Sequence, residues 1–517
     1  MKRQKVVVVG AGPVGALAAL YAARQGYDTE IYELRDDPCH GDPSLRPDFA
    51  VIPLALSERG MRAIEGAKVQ GLLEGILNDS RPIYHRMIHT ADRNGKLREI
   101  PMQYGPQGQC LHTIQRDKVT KHCLLALEKE PTAKLIFNHK MTNVNFDEKT
   151  VTFESVLWKD TSYNLEQGNN ANEDFPQDPQ AVGQPGTTSP TAKIQPVDTL
   201  RFKTVQYDFL IGADGTYSTV RQHLMRKTEV DISQVYAKAL WCDLIFPGDK
   251  AGNYRMDSKC LHLWPADENI VMAQPDFDGS FRAGMVCRTD IVRHYESHPA
   301  GFADFFKQQF PGIVPQLLSA DEVTRQFLSH QKIPLKSVKL NRFGYRDEVL
   351  LLGDSSHTMT PFHAMGMITG LEDVRIFSEE FRGAQVPAGV GEDDQAGLRP
   401  FCPPGAVEAY TAHRVQDVNE MVDMANEHYY ELRHGVRSPI ARARKSWDTL
   451  LCRWMPFLGW VPLYARIQFS HDRISAIRIK EARQKNIANM MVMTTIGVCL
   501  YAMIATVQSL MVQQSIH

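Results

Sequence analysis

Three glycines near the N-terminus, Gly10, Gly12 and Gly15, are spaced as in loops that cradle a phosphate group. They follow the apolar residues 6–9, and an acidic residue, Glu33, comes 18 positions after Gly15. In such a loop the first glycine allows a tight turn, the second lets a pyrophosphate approach the backbone, and the third lets helix and strand pack closely. The pyrophosphate rests on the helix N-terminus and the acid binds a ribose hydroxyl. The spacing therefore predicts a dinucleotide site.

The elements that would position this loop are a strand at 6–9, a helix at 16–25 and a second strand at 28–32. Two more acids come directly after strand-like runs: Asp214 follows residues 207–211, and Asp354 follows residues 349–352. Open α/β sheets bind ligands at the carboxyl ends of their strands, so both carboxylates are candidate ligand contacts. Either could instead cap the N-terminus of the following helix.

Taken together, the three segments resemble the GxGxxG, DG and GD motifs of the flavoprotein aromatic hydroxylases. A series of further segments resembles the kynurenine 3-monooxygenase family, in the right order and at similar spacings; they lie at 86–89, 100–105, 137–139, 217–225, 366–373 and 462–464. The resemblance implies an α/β fold: a doubly wound, Rossmann-like FAD-binding domain, an α+β substrate domain with an antiparallel sheet, and a helical C-terminal region.

The activity implied by the resemblance is hydroxylation of L-kynurenine to 3-hydroxykynurenine with NADPH and O2, through a C4a-hydroperoxyflavin. The flavin carries this chemistry, so no catalytic side chain and no metal is expected. NADPH would dock transiently near the DG motif, which agrees with the lack of a second GxGxxG in the sequence. The expected partners are therefore FAD, NADPH, O2 and a small aromatic amino acid.

The resemblance also assigns individual positions. Substrate contacts are expected from Arg86, Tyr104, His428 and Tyr464. FAD contacts are expected from Gly10, Gly12, Val14, Gly15, Glu33, Arg35, Ala55, Arg116, Met141, Asp214, Asp354, Met367 and Ile368, with Asp354 on the ribityl side.

Each substrate contact has a plainer alternative. A guanidinium matches a carboxylate bidentately, and a phenol can add a hydrogen bond, so Arg86 and Tyr104 could clamp an amino-acid carboxylate. By residue type alone, Arg86 could equally form a surface salt bridge, Tyr464 could be a core residue, and His428 a hydrogen-bonded structural histidine. Arg116 could form a salt bridge at a helix start.

The chain departs from the family pattern around the flavin. Where the family has Gly-Gln-Gly-Met-Asn, this chain has residues 364–368, so that Met365 and Ile368 replace two amides. A family Ser-Ile-Asn-Leu is Val-Ile-Pro-Leu here, with Pro53 in place of the amide, and a family Asn is His428. These changes leave two alternatives open: the same chemistry on a different aromatic substrate, as in secondary metabolism, or a flavin-binding, membrane-anchored protein with impaired hydroxylation.

Composition excludes several other classes. The formal net charge of −2 offers no electrostatic case for nucleic-acid binding. Nine cysteines, an odd number without a CxxC pair, predict reduced thiols in a cytosol-facing protein rather than a disulfide framework or a zinc site. The first residues run directly into a strand, so no secretory signal is expected.

Seven segments are predicted along the chain. They are the first part of the FAD-binding domain (1–80), strands of the substrate domain (81–105), the second part of the FAD-binding domain with a disordered insert near 162–196 (106–228), the substrate domain (229–340), the third part of the FAD-binding domain (341–382), a helical region (406–485) and a C-terminal anchor (487–512).

The anchor prediction depends on length and charge. Residues from 486 onward carry no formally charged side chain, and 487–512 is long enough to span a bilayer as a helix. Arg478, Lys480, Arg483 and Lys485 lie just upstream and favour a cytoplasmic N-terminal part. An amphipathic docking helix is the alternative, because polar residues dilute the span. The family resemblance implies the mitochondrial outer membrane, with the enzyme facing the cytosol.

Overall fold

The computed structural model describes residues 3–41, 54–92, 94–104, 108–156, 201–382, 400–432, 447, 451–452 and 459–514. Pro53, the predicted insert at 162–196 and residues 383–399 lie outside the described residues.

The strands are β1 Lys5–Val9, β2 Asp28–Tyr32, β3 Leu54–Leu56, β4 Arg81–Ile83, β5 His85–Ala91, β6 Leu97–Gln103, β7 Leu111–Ile114, β8 Ala133–Ile136, β9 His139–Asn145, β10 Thr150–Ser155, β11 Phe202–Gln206, β12 Phe209–Gly212, β13 Ile232–Phe246, β14 Cys260–Ala266, β15 Asn269–Pro275, β16 Phe281–Arg288, β17 Lys332–Leu340, β18 Gly344–Tyr345 and β19 Val349–Leu351. The α-helices are α1 Pro13–Arg24, α2 Glu58–Glu65, α3 Leu72–Asn78, α4 Arg116–Leu127, α5 Thr219–Lys227, α6 Thr289–Ser297, α7 Phe302–Gln309, α8 Ala320–Ser329, α9 Gly366–Ile376, α10 Ala406–Tyr430, α11 Leu463–Phe469 and α12 Ile474–Gln514.

A six-stranded sheet holds the predicted dinucleotide loop. Its strand order is β18-β19-β12-β1-β2-β8, parallel except for the antiparallel edge strand β18. Residues 6–9 of the central strand are buried, as expected for a strand covered on both faces. Because β1, β12 and β19 are parallel neighbours, their carboxyl ends bring the three glycine- and aspartate-bearing turns to one edge.

A second, seven-stranded sheet has the strand order β17-β13-β16-β15-β14-β5-β6. Its pairings are antiparallel except for β14 with β5, which are parallel. Strands β5 and β6 belong to the early segment 81–105 and join this sheet beside β14. Helices α6, α7 and α8 cover one face with a core rich in phenylalanine, including Phe302, Phe306 and Phe327. The sheet thereby carries Arg86 on β5 toward the rest of the site.

A buried ion network ties these parts together. Arg414 on α10 donates to Glu372 (2.7 Å) and to Asp373 (2.8 Å), both on α9. Arg59 on α2 also donates to Glu372, at 2.8 Å, and His357 lies 2.6 Å from Asp373. Burial acts to raise the pKa of the Asp373 carboxyl, but His357 and Arg414 outweigh it, so that the pKa is lowered. The network therefore holds ionised carboxylates inside the protein.

The C-terminal helix α12 begins at Ile474, earlier than the predicted anchor, and includes the basic residues upstream of it. By length and composition, α12 is long enough and apolar enough to cross a membrane. Its most apolar window is not buried against the rest of the protein. Met490, Met493, Leu500 and Ile504 are examples of its exposed apolar side chains. An unburied apolar helix of this length fits membrane anchoring.

Candidate active site

The glycine loop is built by two very close backbone approaches. Gly10 has a φ of +96°, and a Cβ added there would lie 2.5 Å from the carbonyl oxygen of Ala213. A Cβ on Gly15 would lie 1.9 Å from the carbonyl oxygen of Gly10. Both distances are shorter than any contact a side chain can make, so the loop and the start of α1 require glycine at these positions.

The second glycine, Gly12, faces a different environment. A Cβ at Gly12 would meet only the guanidinium of Arg116, at 3.1 Å, and Arg116 begins α4. No carboxylate among the described residues lies within 4 Å of the Arg116 guanidinium. The first turn of α1 has no acidic side chain. The N-terminus of α1 and the Arg116 guanidinium thus border an open cradle. Such a cradle fits the pyrophosphate of a dinucleotide.

We expect a matched pair of glycine substitutions to separate folding from cofactor binding. Gly12→Ala should leave the Tm of the FAD-free protein within about 2 °C of the parent, while the FAD Kd rises about tenfold, because the added methyl group enters only the cradle. Gly15→Ala should abolish the folded state, because the methyl group meets backbone. Thermal unfolding and FAD titration of both variants check this; equal effects on Tm would contradict it.

The two acids at the strand ends are used differently. The carboxylate of Asp214 accepts bonds from the Ser218 hydroxyl (2.6 Å) and from the backbone N–H groups of Thr219 (2.6 Å) and Val220 (3.1 Å), so it caps α5. Burial raises the pKa of Asp214, which these bonds oppose. The Asp354 carboxylate instead accepts one hydrogen bond, from the Thr216 hydroxyl at 3.3 Å. More of its hydrogen-bonding capacity is therefore left for a ligand. The structure thus shows the capping alternative for Asp214.

The remaining predicted FAD contacts fall into two groups. Near the loop, Ala11 N–H and the Arg35 backbone and side chain donate to Glu33, and Val14 lies beside Gly353 and Gly370. Farther away, Ala55 on β3, Met141 on β9, and Met367 and Ile368 on α9 are buried. Ile368 and Met365 are both fully buried in one apolar cluster with Met421 and Ile467. The two side chains that replace family amides therefore serve as core.

The four predicted substrate contacts lie together although they come from β5, the end of β6, α10 and α11. The Arg86 guanidinium lies 3.9 Å from the ring centre of Tyr464 and 5.6 Å from that of Tyr104. The two phenol rings are 5.5 Å apart at 22°. Arg86 Nη1 lies 3.3 Å from His428 Nε2, and His428 Nδ1 lies 3.3 Å from the Glu431 carboxylate. Arg86 is therefore no surface salt bridge.

Four buried polar atoms without a hydrogen-bond partner among the described residues belong to this cluster. Arg86 Nε, the Tyr104 hydroxyl, His363 Nδ1 and Gln468 Oε1 are buried without a hydrogen-bond partner in the described structure. No carboxylate among the described residues lies within 4 Å of the Arg86 guanidinium either. Burying a cation and polar atoms without partners is costly, and such groups are rare in proteins unless a ligand satisfies them. The cluster is therefore a candidate site for a molecule that carries a carboxylate.

His363 and Gln468 were not predicted from the sequence. The His363 ring lies 5.4 Å from the Tyr464 ring at 14° and 4.6 Å from the His428 ring. Gln468 Nε2 donates to the His363 carbonyl oxygen at 2.8 Å. The next residue, Ala364, has a φ of +57°, a conformation that favours glycine. The family that this chain resembles has glycine at position 364. This was the one signal in the sequence that the backbone next to His363 adopts an unusual conformation.

Comparison with known proteins supports the FAD site. A family model described as an FAD binding domain matches residues 174–381, and one described as an NAD(P)-binding Rossmann-like domain matches residues 8–51. The chain is 35% identical over 484 residues to the kynurenine 3-monooxygenase of Aspergillus fumigatus, covering 93% of this chain and 87% of the relative. It is 35% identical over 494 residues to that of Neurospora crassa, with 93% and 89% covered.

Solved structures show the same fold at low identity. Pseudomonas aeruginosa PqsL in complex with 2-aminobenzoylacetate superposes with a TM-score of 0.58 at 17% identity, covering 84% of this chain and 97% of that chain. The tetrameric form of 2-methyl-3-hydroxypyridine-5-carboxylic acid oxygenase has a TM-score of 0.58 at 16% identity, with 85% and 95% covered. The predicted α/β fold class with its FAD-binding domain is confirmed.

Proposed function

This chain belongs to the kynurenine 3-monooxygenase family, and from that premise we propose that it hydroxylates L-kynurenine to 3-hydroxykynurenine. It is a flavoprotein monooxygenase that uses FAD and NADPH. The observation that carries the substrate proposal is the buried Arg86 guanidinium, which has no carboxylate partner among the described residues and lies beside an unpartnered Tyr104 hydroxyl. An amino-acid carboxylate would satisfy both groups.

The residues of the chain bind and orient, whereas bound FAD, once reduced by NADPH, supplies the chemistry that activates oxygen. Gly12, the N-terminus of α1 and Arg116 would hold the pyrophosphate, and Asp354 the ribityl side. Arg86 and Tyr104 would fix the substrate by its carboxylate. The ring of Tyr104, which is buried, and that of Tyr464, which is partly buried, would cover the apolar part of the substrate and help to keep water from the reacting ring.

A different aromatic substrate for the same chemistry is the second candidate. It is favoured by Met365 and Ile368, which present apolar groups where the family has amides and are fully buried in the core. A lost hydrogen-bond partner costs about 1–3 kcal/mol. The loss of two partners would weaken the hold on flavin or substrate without removing the carboxylate clamp at Arg86.

Turnover separates these candidates. We expect the purified full-length protein to consume NADPH faster with L-kynurenine and to form 3-hydroxykynurenine in about a one-to-one ratio to NADPH. Peroxide without hydroxylated product would mean that kynurenine only stimulates flavin reduction. Absence of any stimulation by L-kynurenine would refute it as the substrate, and a positive result with another carboxylated aromatic would establish the second candidate.

Helix α12 supports a proposal about location. We propose that it anchors the enzyme in the mitochondrial outer membrane with the active site facing the cytosol; its apolar exposed surface and the basic residues Arg478, Lys480, Arg483 and Lys485 support this. Carbonate extraction of isolated mitochondria, followed by protease treatment of intact organelles, tests it. Release by carbonate, or protection of the catalytic part from protease, would refute the anchor or the orientation, respectively.

A further inference from the structure

Two polar side chains beside the carboxylate clamp have no assigned role, His363 and Gln468. Both are almost completely buried, and His363 Nδ1 and Gln468 Oε1 have no partner in the described structure. They are held to each other, because the Gln468 side-chain amide donates to the His363 carbonyl oxygen. His363 lies parallel to Tyr464, whose ring also contacts the Arg86 guanidinium. The pair thus adjoins the place where a substrate held by Arg86 would lie.

These two side chains form a neutral polar surface. Burial lowers the pKa of His363 well below its ordinary value, and His428 and Arg86 lower it further, so its imidazole is uncharged near neutral pH. A neutral imidazole offers one donor and one acceptor, and the Gln468 oxygen offers an acceptor. A ligand group that carries N–H bonds and a lone pair would satisfy both. An apolar group would leave two buried polar atoms without partners.

The charged groups around His363 and Gln468 determine which kind of N–H group can bind there. The nearby charged groups are Arg86 and Glu431, and Glu431 is bound to His428 and is largely exposed. The buried Arg86 cation therefore dominates. It repels an ammonium group whose charge is not offset, whereas the α-ammonium of an amino acid lies beside the carboxylate that neutralises Arg86. A neutral amine on an aromatic ring carries N–H donors without that penalty. It can also lie in the plane of a ring covered by Tyr464.

We infer that His363 and Gln468 form a second polar subsite that reads a neutral amino group on the substrate's aromatic ring, while Arg86 and Tyr104 hold its carboxylate. The substrate class is therefore a carboxylated aromatic amine. This inference rests on the proposed function for the position of the substrate. It would make the two residues determinants of specificity in this chain, and neither would take part in the oxygen chemistry.

Ligand binding to the FAD-loaded enzyme tests the subsite without turnover. The Kd is measured from the change in flavin absorbance for two matched pairs: L-kynurenine against the analogue without its ring amine, 3-benzoyl-L-alanine, and 2-aminobenzoate against benzoate. In the parent protein we expect the amine to improve the Kd about tenfold within a pair, which is about one good hydrogen bond. In Gln468→Met and His363→Phe that ratio should fall to about one, with the Kd of the amine-free ligand little changed.

The control variant is His122→Phe, a partly exposed histidine on α4 paired with Asp79, which should keep the parental ratio. Should His363→Phe fail to retain FAD, Gln468→Met alone carries the test. An unchanged ratio in the variants, or no preference for the amine in the parent, overturns the subsite. If L-kynurenine does not bind but 2-aminobenzoate shows the expected ratios, the subsite stands and the proposed substrate fails.

Discussion

Replacement of Arg86 by methionine should raise the Kd for L-kynurenine by about 100-fold while the protein still folds and holds FAD. Methionine keeps most of the apolar volume against the Tyr464 ring but removes the cation. A carboxylate bound there would be left buried without a partner, and loss of one member of such a charge pair typically costs about 2–5 kcal/mol. Flavin absorbance titration measures the Kd, and the flavin-to-protein ratio measures FAD content.

A ligand without the carboxylate makes the test specific. Kynuramine, the decarboxylated analogue, should bind Arg86→Met at least as well as the parent, because it has no carboxylate to pair with Arg86 and its ammonium group is repelled by that cation. Arg98→Met on the paired strand β6 is the matched control, since Arg98 is exposed and its ion pair among the described residues is with Asp92. An equal loss of affinity for both ligands would show that Arg86 supports the fold of the pocket instead of binding the carboxylate.

Replacement of Arg414 by methionine should lower the free energy of unfolding by about 3–5 kcal/mol, which corresponds to a fall in Tm of about 3–5 °C for a protein of this size. The substitution leaves Glu372 and Asp373 buried with only Arg59 and His357 to compensate them. These carboxylates lie between the GD turn and the C-terminal helices, since Asp373 also accepts the Gly353 N–H at 3.2 Å. Differential scanning calorimetry of the FAD-loaded protein measures the loss.

The effect should depend on pH in a defined direction. The folded-state pKa values of Glu372 and Asp373 are lowered, so their contribution to stability is present above about pH 4 and disappears as the pH falls below the unfolded values. The difference in Tm between parent and variant should therefore stay nearly constant from pH 7 to about pH 5 and shrink as the pH falls below about 4. Arg325→Met, which removes only an exposed pair with Glu322, should cost less than about 1 kcal/mol. Similar losses in both variants would contradict the buried-network interpretation.

The dinucleotide loop was predictable because its physics is local. Gly10, Gly12 and Gly15 lie within one strand-to-helix turn, and their spacing alone specifies how closely backbone and phosphate can approach. The same holds for the position of Asp214 and Asp354 at strand ends. The role of Asp214 was left open by the sequence, since a helix cap and a ligand contact need the same residue type at the same place, and only the structure shows its three capping bonds.

The substrate site depended on tertiary structure. Residues 86 and 428 are 342 positions apart, and no local pattern brings them within hydrogen-bond distance; their positions were expected only through family resemblance. Which polar atoms remain unpartnered is a property of all neighbours at once, so Arg86 Nε, His363 Nδ1 and Gln468 Oε1 could not be identified from residue types. The sequence by itself determined the strand, glycine turn and helix at which we predict the dinucleotide to bind, because adjacent residues make that turn. Packing between distant elements decided the geometry and chemistry of the candidate substrate site.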